Sequence, residues 1–145
     1  MQQDQQLRYT VDITHADVDA IETFLDSHAE AQRAAHPPET AEHRMASTVR
    51  GLVRQSAWDA RKALDFILDD EHFGAYGKQA DLKELHRLKC AWSVLVKAAV
   101  PWQGEAGHDT NRWRSTEFTD RSEEEAAERE RVGMRAAVKA MERRA

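Results

Sequence analysis

Cysteine is almost missing from this chain: Cys90 is the single one in 145 residues. That excludes a disulfide framework and a cysteine-built zinc site, and makes a reducing, cytoplasmic setting the simplest expectation. Proline and glycine are also scarce, at three and six, so few positions force the backbone out of a helix. No run approaches the roughly 18 apolar residues that a membrane span needs, so no membrane association is expected. The opening Met-Gln-Gln-Asp-Gln-Gln has neither a basic start nor an apolar stretch, and no secretory signal is expected there. Positive charge is not in excess either. The formal net charge is −5, whereas a protein that grips duplex DNA needs a basic footprint.

What the chain does have is alanine, glutamate and arginine in quantity, and a charged fraction of 32%. That composition favours slim helices with broad solvated faces. The length suits one domain with a single core. The expected fold is all-α, a three- to four-helix bundle with a long central helix and a loosely packed C-terminal helix. Residues 1–13 are expected to be a flexible N-terminus, with Tyr9, Val11 and Ile13 forming an extended strap on the bundle. Residues 14–121 make the bundle domain and residues 122–145 a charged C-terminal helix.

Apolar spacing sets the elements. Thr14 reads as an N-cap with Asp17 and Asp19 in the first turn. The helix it opens runs to about residue 35, with Val18, Ile21, Phe24 and Leu25 on one side. His28 and Gln32 interrupt that side one turn apart, where the seam reaches solvent or a neighbouring polar group. His36-Pro37-Pro38 ends the helix, because a residue before proline is steered out of the α region.

The second helix is predicted from about residue 39 to 69. Its stripe of Met45, Val49, Leu52, Val53, Ser56, Ala60, Ala63, Leu64 and Ile67 shares one sector at about 100° per residue. Trp58 and Phe66 fall outside it. The stripe keeps its phase through Gly51 and Ser56-x-x-Asp59, so one continuous helix is expected. Residues 71–80 read as a loop with two glycine turns, in which Phe73 and Tyr76 plug the end of the bundle. Asp81-x-x-Glu84 resembles a capping box and opens a third helix ended by Pro101, with Leu82, Leu85, Leu88, Trp92, Leu95, Val96 and Ala99 on its inward face. A polar segment pinned by Trp113 and Phe118 follows. Ser122-x-x-Glu125 caps the last helix, whose apolar face of Met134, Ala137, Val138 and Met141 is thin.

Three groupings of side chains bear on chemistry. Glu39-x-x-Glu42 with Asp65 and Asp69 resembles the acidic pairs of the helical nucleotide pyrophosphatases, which hold Mg²⁺ against a triphosphate. On one straight helix these pairs would stand about 35–40 Å apart at 1.5 Å per residue. Solvated helix-end acids are therefore the first reading, and a Mg²⁺-dependent hydrolase is the alternative. His86 and Cys90 stand four apart and could share a metal ion, but no second pair completes the set, so no metal or cofactor is expected. Arg112-Trp113-Arg114 and the basic residues of the last helix could stack on and pair with nucleic acid. The acids interleaved with those bases favour solvent-facing ion pairs instead, so nucleic acid is not the expected partner.

The segment LVKAAVPWQGEAGHDTNRWR, residues 95–114, resembles a recurring ending of small uncharacterised helical proteins of actinomycetes and their phages. In those proteins an apolar helix leads through a Pro-aromatic pair and a His-Pro-Asp-Tyr-like turn to Trp-Arg. The matching positions here are Pro101-Trp102, His108-Asp109 and Trp113-Arg114. AWDARKALDFILDD is similar to the family's preceding charged helix, and AIETFLDSHAEAQRAA to its first. The resemblance covers roughly residues 16–114, with Gly107 and Thr110 departing from the pattern. It implies a small helical accessory protein of a phage or mobile element and carries no activity with it.

The expected function is accordingly non-enzymatic: a helical protein that binds another protein, a phage or mobile-element factor acting on a host component. Trp58 and Phe66, off the central stripe, and Arg112, Trp113 and Arg114 are the expected partner-binding residues. The central helix carries apolar residues on two sides, and the third helix carries Cys90, Val94 and Ala98 away from its main face. That excess of apolar surface also predicts a helix-mediated homodimer.

Overall fold

A computed structural model describes residues 5–68 and 77–144, with side chains described over 5–67 and 81–144. Its helices are α1 (His15–Ala35), α2 (Ala41–Leu68), α3 (Gly77–Ala99) and α4 (Arg121–Arg144), with short 3-10 turns at Thr10–Asp12 and Val100–Trp102. The fold is all-α, as composition and spacing predict. α2 packs between α1 and α3, while α4 contacts none of the other helices.

α1 begins where the sequence signal puts it. The Thr14 hydroxyl accepts from the Asp17 amide at 3.2 Å, and the Asp17 carboxylate accepts from the Thr14 amide at 2.9 Å, a reciprocal capping box. At the far end His36 turns extended ahead of Pro37. The chain then reverses through a tight turn in which the Thr40 side chain accepts from the His43 amide. The His43 ring lies 2.8 Å from the Arg33 carbonyl, answering one of the carbonyls that the end of α1 leaves open.

α2 is continuous through Gly51 and Ser56, but its buried face is rotated from the predicted stripe. Ala46, Val53, Ala57, Ala60, Ala63 and Leu64 are buried. Met45, Val49 and Leu52, expected in the core, are exposed at 68%, 43% and 60%. The reason is the side that α1 takes. Arg50 reaches Asp26 and Glu30 of α1 at 2.7 and 2.9 Å, and Arg61 reaches Asp19 and Glu22 at 2.9 and 3.1 Å. These pairs run along one edge of α2 and draw α1 onto the alanine row beside them, where small side chains allow close approach.

α3 starts at Gly77, a turn earlier than the Asp81-x-x-Glu84 signal, so residues 77–80 belong to the helix and not to a loop. Lys78, Gln79 and Ala80 are strong helix formers and carry it back past the acidic pair. Phe73, Tyr76 and Asp69 lie outside the described residues. Leu88, Trp92, Leu95 and Ala99 face inward with no more than 1% exposure. Leu82, expected on the same face, is exposed at 59%, because helical phase sets it about 100° away from their centre. The Trp92 indole donates to the Arg114 carbonyl at 2.8 Å, so the largest core side chain is also polar-satisfied.

The N-terminal segment is not the continuous extended strap that alternation suggests. Thr10–Asp12 form a 3-10 turn that leaves Val11 exposed while Tyr9 and Ile13 are buried. Its partner is one that the sequence does not announce. Tyr9 forms an isolated parallel bridge with Phe118, and the Leu7, Thr10 and Val11 amides donate to the carbonyls of Asn111, Phe118 and Thr119. Beneath this seam the Thr10 and Thr116 hydroxyls meet at 2.8 Å. α4 is capped by Asp120, whose carboxylate accepts from the Glu123 amide at 2.9 Å. The predicted cap, Ser122, is already inside the helix.

Candidate protein-docking site

The segment between α3 and α4 is held rigidly, and its anchor is electrostatic. Arg112 is buried and lays its guanidinium against Asp17, with Nε on Oδ1 at 3.0 Å and an Nη on Oδ2 at 2.7 Å. The same guanidinium donates to the Asp12 carbonyl at 2.8 Å and to the Gln5 carbonyl at 3.2 Å. Hydrogen bonding to Asp17 holds the Arg112 cation firmly in its charged state despite burial. Gly104 and Gly107 take φ values of +91° and +95°, which fold residues 103–109 back without steric cost.

The fold-back stacks aromatic rings over the middle of α1. Trp113 is buried with its ring 4.9 Å from that of Phe24. The ring of Phe24 in turn packs edge-on to His28 at 4.6 Å. Trp102 then stacks on the His28 imidazole, with centroids 4.5 Å apart and planes 27° apart. His28 Nε2 stands 3.5 Å from the Glu105 carboxylate.

Beside this stack a groove of about 460 Å³ opens between α1, the start of α2 and the end of α3. His28 and Gln32 line one wall, Met45 and Val49 a second, and Ala98, Pro101 and Trp102 a third, with Glu42 at its edge. The groove follows from helix lengths. α2 runs for 28 residues and α3 for 23; Pro101 stops α3 before it can cover the first turns of α2. Helical spacing continues the apolar surface beyond the groove. Leu52 follows Met45 and Val49 at i+7 and i+3, and Val94 precedes Ala98 by one turn. Leu52 and Val94 are both exposed. Farther along, the α2/α3 seam becomes polar, where Arg87 bonds Asp59 at 3.2 Å.

The residues singled out from the sequence are scattered through the fold. Arg112 and Trp113 are buried within the chain, so they brace the bundle and do not present themselves to a partner. Arg114 is exposed and gives its carbonyl to Trp92. Trp58 is half-exposed beneath the Lys62 ammonium, 5.5 Å from its ring centroid. Phe66 is half-buried.

Glu39 precedes α2 and Glu42 lies in its first turn, whereas Asp65 sits near the far end, 3.1 Å from His15. Glu42 and Asp65 are therefore about 35 Å apart along the helix at 1.5 Å per residue. Cys90 Sγ lies 3.5 Å from His86 Nε2 on the surface. No group of three metal-ligating side chains forms among the described residues, and no helix there is long and apolar enough to cross a membrane.

Comparison with family models, curated proteins and solved structures finds no match to this chain.

Proposed function

We propose that the protein is a non-enzymatic binding module whose α2/α3 groove receives an apolar, amphipathic helix of another protein. The observation that carries this is the row Met45, Val49 and Leu52, spaced at i, i+4 and i+7 and exposed on a rigid helix. Single exposed apolar residues are ordinary, but a contiguous row beside an apolar groove marks a docking surface. The groove lets a few side chains of a partner helix anchor among Ala98, Pro101 and Trp102, while the row beyond it extends the contact along α2. Glu42 and the His28–Glu105 pair at the margin favour a partner with a basic residue beside its apolar face. The resemblance to small proteins of actinomycetes and their phages implies the same role, an accessory factor acting on a host component.

The reading is tested by affinity purification of the wild-type chain and of Val49→Glu, with mass spectrometry of what each retains. A protein retained by the wild type and lost by the variant is the expected result. The same preparations are to be screened for hydrolysis of nucleoside triphosphates with Mg²⁺. Turnover that depends on Glu42 would replace this reading with the hydrolase alternative.

A further inference from the structure

A second surface, on α4, carries an argument of its own. Ala127, Met134, Val138 and Met141 fall on one side of α4 at helical spacing, and no other helix of the described chain contacts α4. Met134, Val138 and Met141 are exposed at 64%, 52% and 71%. The charge on the same helix is split end to end. Residues 121–130 hold five acids against two bases, and residues 131–144 hold five bases against one acid. The helix dipole accounts for charges in the first and last turns only, and the split extends well inside both.

Within one chain the basic half is poorly served. Arg131, Arg135, Lys139 and Arg143 follow one another at i, i+4, where like charges repel. Among the described residues only Arg131 of these four has an acid at ion-pair distance, Glu128 at 3.1 Å. At the base of the helix Glu124, partly buried, reaches the exposed Arg8 at 3.4 Å.

We propose that α4 pairs antiparallel with α4 of a second copy of this chain. Antiparallel pairing sets each acidic half beside the partner's basic half, and so satisfies two mismatched rows at once; parallel pairing would stack like on like. Met134 lies close to the midpoint of the 24-residue helix, so pairing about it overlaps all but its first turn. Ala127 then lies across from the partner's Met141. Glu124 and Glu125 come opposite the partner's Arg144 and the partner's Arg143. The apolar row is buried in the middle and the charged ends specify direction, the division of labour of a two-stranded coiled coil. This interface is separate from the α2/α3 groove and leaves it open on both copies.

The test is sedimentation equilibrium on the full chain, wild type against Met134→Glu with Val138→Glu. The wild type should dimerise, and the double variant should raise the dissociation constant at least about tenfold, because apolar contacts are lost on both copies. An unchanged thermal melt of the variant would show that the bundle is intact. Two charge variants test the electrostatic complement, and cross-linking sets the direction. One variant has Glu123, Glu124 and Glu128 changed to Lys, the other Arg131, Arg135 and Lys139 changed to Glu. Each should be monomeric alone, and the mixture should restore a dimer of one copy of each. In a Cys90→Ser background, Ala127→Cys should cross-link to Met141→Cys and neither to itself. A wild type that stays monomeric, a dimer that survives Met134→Glu with Val138→Glu, or self-cross-linking at either position would overturn the proposal.

Discussion

Arg112 and Asp17 stand 95 positions apart and meet in a buried two-pronged ion pair. The same carboxylate caps α1 through Thr14, and the same guanidinium holds the carbonyls of Gln5 and Asp12. One contact thereby joins the N-terminal strap, the start of α1 and the segment that shapes the groove. Arg112→Met should destabilise the fold by about 3–5 kcal/mol, because it strands a buried carboxylate. Arg112→Lys should recover little, since an ammonium cannot span both oxygens of Asp17 and the backbone carbonyls together. Urea unfolding of both variants checks this; a loss below about 1 kcal/mol, the range of surface pairs, would refute it.

The tryptophans should separate sharply. Trp92 is fully buried and Trp58 is half-exposed. Trp92→Ala should cost about 3–5 kcal/mol, and Trp58→Ala less than about 1 kcal/mol, a surface substitution that forfeits a weak cation–π contact with Lys62. Thermal or denaturant melts of the pair measure the difference. Equal losses would mean that the core has been misplaced.

Asp26 supplies a pH dependence. Hydrogen bonding to Arg50 holds its carboxyl below the usual aspartate value, with the nearby charges of Arg50 and Arg54 adding to the effect. A native value below the unfolded one means the contribution is present in full above the unfolded value. It is lost as pH falls through the native one. Asp26→Asn should therefore flatten part of the acid limb of the stability curve, with stabilities converging at strongly acid pH. A curve that keeps the wild-type slope would remove Arg50–Asp26 as a contributor.

Gly51 lies in the exposed interior of α2, and an added Cβ there meets nothing within 4 Å. Gly51→Ala should stabilise the fold by about 0.5–1 kcal/mol through helix propensity alone. A destabilised variant would show that the α2 backbone is not regular at that point.

Much of this architecture is legible in the sequence, for identifiable reasons. The α1 cap is local chemistry, three residues apart in Thr14 and Asp17, and it reads directly. Trp92 sits mid-face on α3 and goes where its spacing puts it. What spacing cannot supply is the azimuth at which neighbouring helices press. On α2 the apolar stripe and the alanine row overlap, and the Arg50 and Arg61 edge, paired with acids of α1, decides between them. Met45, Val49 and Leu52 thus move from expected core to candidate site. The surplus of apolar residues on α2 pointed instead to Trp58 and Phe66, because spacing alone counts Met45, Val49 and Leu52 as core. Arg112 and Trp113 show the opposite error. A basic and aromatic pair in a polar segment suggests a surface, and only the contact with Asp17 across 95 residues reveals a brace.

The docking groove is tested most directly by site-specific photo-crosslinking in the cells that naturally produce the protein. A photoreactive phenylalanine analogue would replace Met45 or Leu52 on the open α2 row, with the exposed polar Lys83 of α3 as the control position. The groove predicts one discrete protein adduct at Met45 and Leu52, none at Lys83, and loss of both adducts when Val49→Glu is added. Adduct-free positions on α2, or the same adducts at Lys83, would contradict it.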